Sequence, residues 1–463
     1  VHGQAKLAIA DAAGTVLAGL NERSVMLLRE MAAADFQAGR ASVLGCDLRL
    51  TAPAAALANA ASAHALDYDS ISLSVIGFIA SPVLFALLAV AEEEGGVSGR
   101  DLLESFVIGW EVEAAIARGL GVDHYARGWH STSTLAHFGA AVAVGRLLKL
   151  DVTRMRHAIG IAASEASGLR TMIGNMVNPF HVGKAARNGI VAARLAQRGF
   201  TAHASVLETG WGFCTAFNGR GNYDLDAMLD RLGRPYDLVD PGLVIKVYPC
   251  CGLIHSALDG VLDLMRQHNL DAAQVGRACI AVHELVPPTM CFDRPQTGYQ
   301  AKFSAPFCIA TALREGAVRL AHFTDERVRD PQMQQLMERV EMAVHPELRG
   351  YQTFLQKEFT DVTLELARGP SRWNNSGKNS TTVPPRIAMP RWQRARSKCW
   401  PGWRRSAMCA KSPPACANPR IFRGHPAARR GCHEVLKRNS RPKRAPGATM
   451  EYRVAQRLRW RGD

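Results

Sequence analysis

GWHSTSTLAHFGAAVAVG, residues 128–145, places a cluster of hydroxyl residues directly before a run of small and apolar residues. This order is typical of a helix N-terminus, where hydroxyl side chains accept hydrogen bonds from otherwise unpaired backbone N–H groups. The alanine and glycine of the run allow other helices to pack closely against it. We therefore predict a closely packed helix that begins near Ser131.

His130 stands just before this predicted helix. The unpaired N–H groups and the positive end of the helix dipole can hold a carboxylate there, and they keep a nearby imidazole neutral. A neutral imidazole beside a bound carboxylate is what proton abstraction next to that carboxylate requires. His130 is therefore a candidate catalytic base, and Ser131 and Thr132 are candidate substrate-binding residues. The alternative is that His130 only caps the helix.

The surrounding sequence has a helical pattern from residue 5 to about residue 235. Ser81-Pro82 predicts the N-cap and first position of a helix that ends at Gly95-Gly96, and Ser98-Gly99-Arg100-Asp101 resembles a capping box. A further helix is predicted from about Gly183 to Gly199.

The pattern changes after Asp240-Pro241-Gly242. Residues 277–283 and 361–366 are strand-like, and helical stretches are predicted between them near 302–315 and 329–341. This mixture indicates a smaller α+β region that follows the helical one.

We therefore predict a mainly α protein with a smaller α+β domain. The helical domain is placed at residues 1–238 and the α+β domain at residues 239–369. The rest, residues 370–463, is assigned to a separate and aberrant tail.

The tail at 370–463 carries the positive charge of the chain. It contains 23 Lys and Arg against 3 Asp and Glu, whereas the rest of the chain contains 33 and 38. It holds five of the eight Trp and shows no sustained helical or strand period. A disordered or frameshifted segment is one hypothesis; a genuine basic arm for nucleic acid or anionic membrane is the other. If the segment is disordered or frameshifted, we expect only non-specific contact with nucleic acid, made by this tail.

Composition argues against several classes of protein. No run of about 18 apolar residues lacks charge, so no membrane span is expected, and no secretory signal pattern is present at the start of the sequence. The eleven cysteines include no Cys-x-x-Cys pair, and the adjacent Cys250 and Cys251 are poorly arranged to hold one metal or cluster. We expect reduced thiols, a cytoplasmic location, no metal and no cofactor.

Five separated blocks resemble the MmgE/PrpD family and occur in the family's order. They are Ala58–Asp69, the block around Trp129 and His130, Asn178–Gly183, Lys246–Cys251 and Ala301–Ser304. The family includes 2-methylcitrate dehydratases, cis-aconitate decarboxylase and iminodisuccinate epimerase. The resemblance runs from about Ala5 to about Ala367, and it implies a two-domain architecture of the MmgE/PrpD type. We also expect a homodimer.

The resemblance implies a set of site residues. The catalytic candidates that it implies are Asp67, His130 and Lys246. The substrate-binding candidates are Lys302, Ser131 and Thr132 from the matching blocks, together with His181, which is chosen because it stands at a predicted helix start. Alternatives remain: Asp67 or Asp69 orients a loop, Lys246 reaches solvent from a strand edge, and Lys184 and Arg187 form a charged solvent face.

Three positions depart from the family's pattern. Phe78 stands where relatives place a histidine, Asn178 where many carry a lysine, and Phe307 where some carry a tyrosine. These departures put decarboxylation of cis-aconitate, and full dehydratase competence, in doubt.

The function that the resemblance implies is a cofactor-free lyase of the 2-methylcitrate dehydratase kind, acting on a small di- or tricarboxylate by α-proton abstraction. One alternative is an epimerase or isomerase of the iminodisuccinate epimerase kind, which abstracts the same proton without losing water. Another is a catalytically impaired family member or a degraded gene product.

Overall fold

The computed structural model describes residues 1–350, 354, 358–367 and 451–458. The chain divides into two compact units. The first comprises Val1–Gly252, Thr297–Phe303 and Arg319–Thr324, and the second comprises Leu253–Gln296, Ser304–Val318 and the described residues from Asp325 onward.

The first unit is built almost wholly of helices. They are α1 His2–Gly19, α2 Arg23–Asp35, α3 Ala52–His64, α4 Ala80–Glu94, α5 Gly99–Leu120, α6 Asp123–Ala126, α7 Ser131–Leu147, α8 Val152–Glu165, α9 Val177–Gln197, α10 Phe213–Asn218, α11 Leu225–Leu229 and α13 Gly298–Ala301. Two short antiparallel pairs accompany them, β1 Ala38–Ser42 with β2 Arg49–Leu50 and β3 Ile71–Ser72 with β4 Leu243–Val244.

The core of this unit is formed by α3, α7 and α9, with α5 packed on α7. Helix α7 begins at Ser131, as the hydroxyl cluster predicts, and almost all of its residues are buried. Small residues permit the close approach. A Cβ atom at Gly183 of α9 would lie 2.3 Å from the carbonyl oxygen of Leu57 on α3, so only glycine fits there.

The local helix signals give mixed outcomes. Ser98 caps α5 by accepting a hydrogen bond from Asp101 N–H, and Gly95 ends α4, both as predicted. The predicted start at Ser81 is wrong by two residues, because α4 begins at Ala80 with Ile79 as its N-cap. The Ser81 hydroxyl instead donates to Asp69 Oδ2 at 2.9 Å.

The predicted start of the helix near Gly183 is also wrong, because α9 begins six residues earlier, at Val177. Pro179 lies in its first turn, where proline is tolerated because no backbone donor is lost from the helix. His181 therefore lies inside the second turn of α9 and not at its start.

The second unit combines helices with one sheet, in agreement with the predicted α+β region. Its helices are α12 His255–Gln267, α14 Ala305–Glu315, α15 Asp325–Arg329 and α16 Pro331–Met337. Its strands are β5 Val275–Val282, β6 Val340–Val344, β7 Glu358–Leu366 and β8 Glu451–Leu458, in the order β6-β5-β7-β8. The β5–β6 pair is parallel and the other two pairs are antiparallel.

Strand β8 belongs to the segment for which the sequence predicts no strand period. Its backbone nevertheless pairs with β7 along its length. The rest of 370–463 lies outside the described residues, so the frameshift and basic-arm hypotheses both stay predictions. None of the helices in the described part of the chain combines the length and apolar character needed to cross a bilayer.

Candidate active site

A buried ion pair joins the loop after α3 to the segment after β4. The β3–β4 pairing brings the two segments together. Lys246 Nζ lies 2.9 Å from Asp67 Oδ1 and donates to the Asp67 carbonyl oxygen at 2.7 Å. Asp67 adopts a left-handed backbone conformation (φ 49°), which aspartate tolerates better than most residues. Both side chains are buried, so the alternative of Lys246 reaching solvent from a strand edge is wrong.

Lys302 lies close to this ion pair. Its ammonium donates to the Pro249 carbonyl oxygen at 2.8 Å and stands 4.5 Å from the centre of the Phe323 ring. Burial lowers the pKa of Lys302 to about 8, against the opposing effect of the Asp67 carboxylate. Asp67, Lys246 and Lys302 together are called the lysine–aspartate cluster below.

Tyr299 places a phenol beside this cluster. Its hydroxyl accepts a hydrogen bond from Asn178 Nδ2 at 3.1 Å. Burial and the Asp67 carboxylate raise the pKa of Tyr299, so the phenol keeps its proton. Tyr299 thus supplies a phenolic hydroxyl in this unit, although Phe307 lacks one.

His64 and Asp69 form a second buried pair at the end of α3. His64 Nδ1 lies 2.9 Å from Asp69 Oδ1, and Asp69 also accepts from the Ser81 hydroxyl. The carboxylate favours the tautomer with the proton on Nδ1, which leaves Nε2 as an acceptor. Asp69 therefore orients the imidazole of His64. The alternative that Asp69 orients only a loop leaves out this contact.

Phe78 lies between these two groups. Its ring contacts the His64 ring edge-on with centroids 4.3 Å apart, and Lys246 Nζ stands 4.7 Å from its centre. The phenyl ring stabilises the ammonium through its π face. Phe78, which stands where relatives place a histidine, thus packs against His64.

His130 and His181 form an imidazole pair. Their Nδ1 atoms lie 3.0 Å apart, so one ring donates and the other accepts. His130 is held by pairing of residues 128–130 with 168–170, where His130 N–H donates to Gly168. Burial, then the nearby charges of His181 and His64, lowers the pKa of His130 well below its ordinary value. Burial also lowers the pKa of His181, to about 4.

The lowered pKa agrees with the expected neutral state of His130, and its largest cause is burial, followed by neighbouring basic groups. His130 occupies the N-cap position of α7, but its side chain makes no capping hydrogen bond and instead pairs with His181. Ser131 and Thr132 are both buried in the first turn, and Thr132 Oγ1 accepts from Phe78 N–H at 3.0 Å.

Lys184 lies one turn after His181 on α9. It is buried and donates to the carbonyl and hydroxyl oxygens of Ser167, so the solvent-face interpretation of Lys184 is wrong. Burial and the charge of Arg187 lower the pKa of Lys184 to about 8. His130, His181 and Lys184 are called the imidazole cluster below.

Arg170 adds a further cation. It stacks on Tyr125, with its guanidinium carbon 4.1 Å from the ring centre, and its charge contributes to the lowered pKa of His130. Four buried Lys or Arg side chains therefore accompany Asp67 and Asp69 in this part of the first unit: Arg170, Lys184, Lys246 and Lys302. Partly buried carboxylates also act on Lys184, Lys246 and Lys302. Buried cations held in this way suit a ligand with several carboxylates.

Two of the three departing positions belong to this unit. Phe78 and Asn178 lie among the residues described above, while Phe307 is fully buried on α14 in the second unit. In the described residues no group of three or more His, Cys, Asp or Glu is arranged to hold a metal ion.

Sequence reasoning missed four residues of this region: His64, Asp69 as a histidine partner, Tyr299 and Arg170. His64 and Asp69 lie in the quoted Ala58–Asp69 block, and their spacing of five across a helix end was the available signal. Tyr299 lies three residues before Lys302, and this nearness to the Ala301–Ser304 block was its signal. Arg170 lies outside all the quoted blocks, and only tertiary packing brings it to the site.

Family models match both parts of the chain. The MmgE/PrpD N-terminal domain matches residues 1–226 and the MmgE/PrpD C-terminal domain matches residues 248–371. Among curated proteins, cis-aconitate decarboxylase of Aspergillus terreus is 28% identical over 323 residues, which cover 65% of this chain and 66% of that protein. Human cis-aconitate decarboxylase is 25% identical over 308 residues, which cover 65% and 63%. The chain thus matches slightly less than two thirds of each relative's length.

Proposed function

This chain belongs to the MmgE/PrpD family, and we propose that it is a lyase acting on a small di- or tricarboxylate. The reaction starts with abstraction of the proton alpha to a carboxylate and proceeds by loss of water, as in the 2-methylcitrate dehydratases of the family. The observation that carries the proposal is a pair of buried, neutral imidazoles beside several buried cations.

The cations bind the substrate. The Pro249 carbonyl takes one of the three N–H donors of Lys302, so further donors of this ammonium are available for a carboxylate oxygen. Lys246 is held by Asp67, which fixes the position of its charge. Positive charge fixed before the reaction stabilises the enolate-like charge that develops when the α-proton leaves.

The imidazole of His130 takes the proton. A histidine with a lowered pKa is neutral near neutral pH. When His130 donates from Nδ1 to His181, the lone pair on its Nε2 can act as the base. His181 shares a hydrogen bond with it, so the position of the proton on one ring sets the tautomer of the other. The buried cations nearby keep the α-carbanion low in energy while the proton is on nitrogen.

Epimerisation is the second candidate, and one observation favours it. Two separate imidazole groups, the His130–His181 pair and the His64–Asp69 pair, lie close enough for the charge of His64 to lower the pKa of His130. Removing a proton on one side of a carbon and returning it on the other requires two such groups.

The test is to incubate the protein with a panel of succinate- and citrate-like acids in deuterium oxide. Deuterium at the α-carbon together with an unsaturated product supports the lyase, and deuterium with inverted configuration alone supports the epimerase. Carbon dioxide release would assign the decarboxylation named for the relatives. No deuterium uptake and no product from any acid would contradict the proposal and favour an impaired family member.

A further inference from the structure

Lys184 lies among titratable side chains from three helices of the first unit. Burial is the largest influence on the pKa of each of four neighbours, and the charge of Lys184 acts on all four: His130, His137, Glu165 and His181. The ammonium of Lys184 donates two hydrogen bonds to Ser167, at 2.7 and 2.8 Å. Because an ammonium has three donors, one N–H of Lys184 is left without a partner within the described residues.

Ser167 and Gly168 connect Lys184 to the imidazole pair. Ser167 accepts from the Lys184 ammonium, and a Cβ atom built on Gly168 would lie 3.3 Å from Nε2 of His181. The ammonium of Lys184 and the Nε2 atom of His181 are therefore held against the same short segment. His181 contacts His130 through Nδ1, so Nε2 is the nitrogen of His181 that can exchange a proton with its surroundings.

Helices α7 and α9 run side by side in the same direction. His130 contacts His181 near their first turns, and Gly189 lies against Ala140 farther along. His137 follows His130 by seven residues, about two turns of α-helix, and therefore lies between these two contacts. Its side chain is fully buried. The imidazole of His137 is thus enclosed along the stretch of α7 that accompanies the first turns of α9.

Polar atoms without a partner accompany Lys184 in this region. The buried atoms of the first unit that have no hydrogen-bond partner within the described residues include both ring nitrogens of His137 and Oε2 of Glu165. Atoms of this kind commonly bind ordered water. Burial lowers the pKa of His137 to about 3, so its imidazole stays neutral and offers water one donor and one acceptor. Glu165 is half-buried and Ser167 is exposed, so this polar region extends to the surface.

We propose that Lys184 and Glu165 form a proton route between the His130–His181 pair and solvent, through water held by His137. The inference rests on the proposed function, which supplies the proton, and goes beyond it by stating where that proton goes. None of the three residues Lys184, Glu165 and His137 needs to touch the substrate for this role.

The transfer is a series of single proton steps. As the α C–H bond breaks, Nε2 of His130 gains the proton, and His130 passes its Nδ1 proton to Nδ1 of His181. Nε2 of His181 then releases its proton through water to the Lys184 amine, which has already given a proton to Glu165 or to solvent. Burial and the charge of Arg187 lower the pKa of Lys184 to about 8, so this side chain can both hold and release a proton near neutral pH.

The first test needs no substrate. Proton magnetic resonance of the free protein measures how fast the proton shared by His130 and His181 exchanges with water, and loss of the signal in His130→Gln identifies it. We expect Lys184→Met and Glu165→Gln to slow this exchange by at least about tenfold, because a positioned proton-transfer group contributes roughly 10²–10⁴-fold. Glu104→Gln, at a half-exposed glutamate of α5, is the matched control and should exchange as the wild type does.

Equal exchange rates in the wild type, Lys184→Met and Glu165→Gln would overturn the route. If fast exchange hides the signal in the wild type, the signal should appear in both variants, and a signal hidden in all three proteins would also overturn the route. His137→Leu should slow the exchange, whereas His137→Gln, which keeps a donor and an acceptor for water, should not. Equal rates in these two variants would contradict the role of water held by His137.

The second test follows deuterium during the reaction. Succinate, malate and citrate carrying deuterium alpha to a carboxylate are incubated with the protein in ordinary water. The wild type should replace the abstracted deuterium with solvent hydrogen, whereas Lys184→Met and Glu165→Gln should return it to the same carbon, so that wash-out relative to product falls at least about tenfold.

Unchanged wash-out relative to product in both variants would contradict the route and leave the proposed function standing. Failure of every acid to react would overturn the proposed function, and the exchange rates of the free protein would still decide whether the route exists.

Discussion

The lysine–aspartate cluster and the imidazole cluster hold basic groups in equally buried places but manage charge differently. In the first, Lys246 is compensated by a carboxylate at 2.9 Å. In the second, His130 and His181 have no carboxylate partner among the described residues, and burial keeps them neutral. The presence or absence of a neighbouring carboxylate thus distinguishes a fixed charge suited to binding from a neutral base suited to proton transfer.

The largest expected effect is at the ion pair. Lys246→Met leaves Asp67 buried without its cation, and breaking a buried pair in this way costs about 3–5 kcal/mol. We expect a large loss in the free energy of unfolding in urea and a weaker affinity for dicarboxylates.

Lys6→Met, at an exposed lysine of α1, is the matched control and should behave as wild type. Adding Asp67→Asn to Lys246→Met should recover part of the stability, because the uncompensated charge is gone. If Lys246→Met were as stable as Lys6→Met, the cluster would not be a buried ion pair in solution.

The pH dependence of kcat/KM should depend on the protonation of groups in both clusters. His181 has a pKa of about 4 and that of His130 is well below its ordinary value, so the bases stay neutral down to acidic pH. Lys302 and Lys184 have pKa values of about 8 and lose charge as the pH rises above that. We expect activity to fall above about pH 8 and to be retained on acidification through the ordinary histidine pKa of about 6.5. An acidic limb at that ordinary value would show that the imidazoles are more solvated than the structure has them.

Glu113 shows what happens to a carboxylate without a cation. It is fully buried on α5, neither of its oxygens has a partner in the part of the chain that the structure describes, and burial raises its pKa well above the ordinary value. The unfolded chain releases this proton at lower pH than the folded chain, so stability falls as the pH rises above about 4.5.

Glu113→Gln should remove that fall and be more stable relative to wild type at neutral pH than at acidic pH, because glutamine has no proton to release. Urea unfolding at acidic and neutral pH measures the slope. Glu104→Gln, at a half-exposed position of the same helix, should leave it unchanged. Equal slopes in wild type and Glu113→Gln would mean that Glu113 is ionised and compensated in the folded protein.

Local sequence signals correctly predicted helix starts and caps that depend only on neighbouring residues in the chain. The hydroxyl cluster predicted the start of α7 at Ser131, and Ser98 predicted the cap of α5. They failed where a side chain serves a distant partner: Ser81 binds Asp69 instead of capping α4. The sequence Ser81-Pro82 is compatible with a helix cap and with a contact to a distant carboxylate, and the tertiary structure decides which one forms.

Some residues of the candidate site could likewise be found from the sequence, and others could not. Motif blocks identified Asp67, His130, Lys246, His181 and Lys302, and the structure places all five in the first unit, although their roles stay proposals. Lys184 was assigned to solvent because helical spacing shows which residues share a face, not whether another segment covers it; Ser167 covers this one. Tyr299 lies three residues before Lys302, just outside the quoted Ala301–Ser304 block, and its contact with Asn178 became visible only in the fold.

We infer that the lysine–aspartate cluster binds the carboxylate ligand and that the imidazole cluster takes its α-proton. The most direct test measures, for His130→Gln and Lys246→Met, both the affinity for a carboxylate that the wild type exchanges and deuterium uptake at its α-carbon at saturating ligand. We expect His130→Gln still to bind the carboxylate but to lose exchange by at least about 100-fold, the scale of general base catalysis, and we expect Lys246→Met to lose affinity. Exchange at the wild-type rate in His130→Gln would contradict this inference.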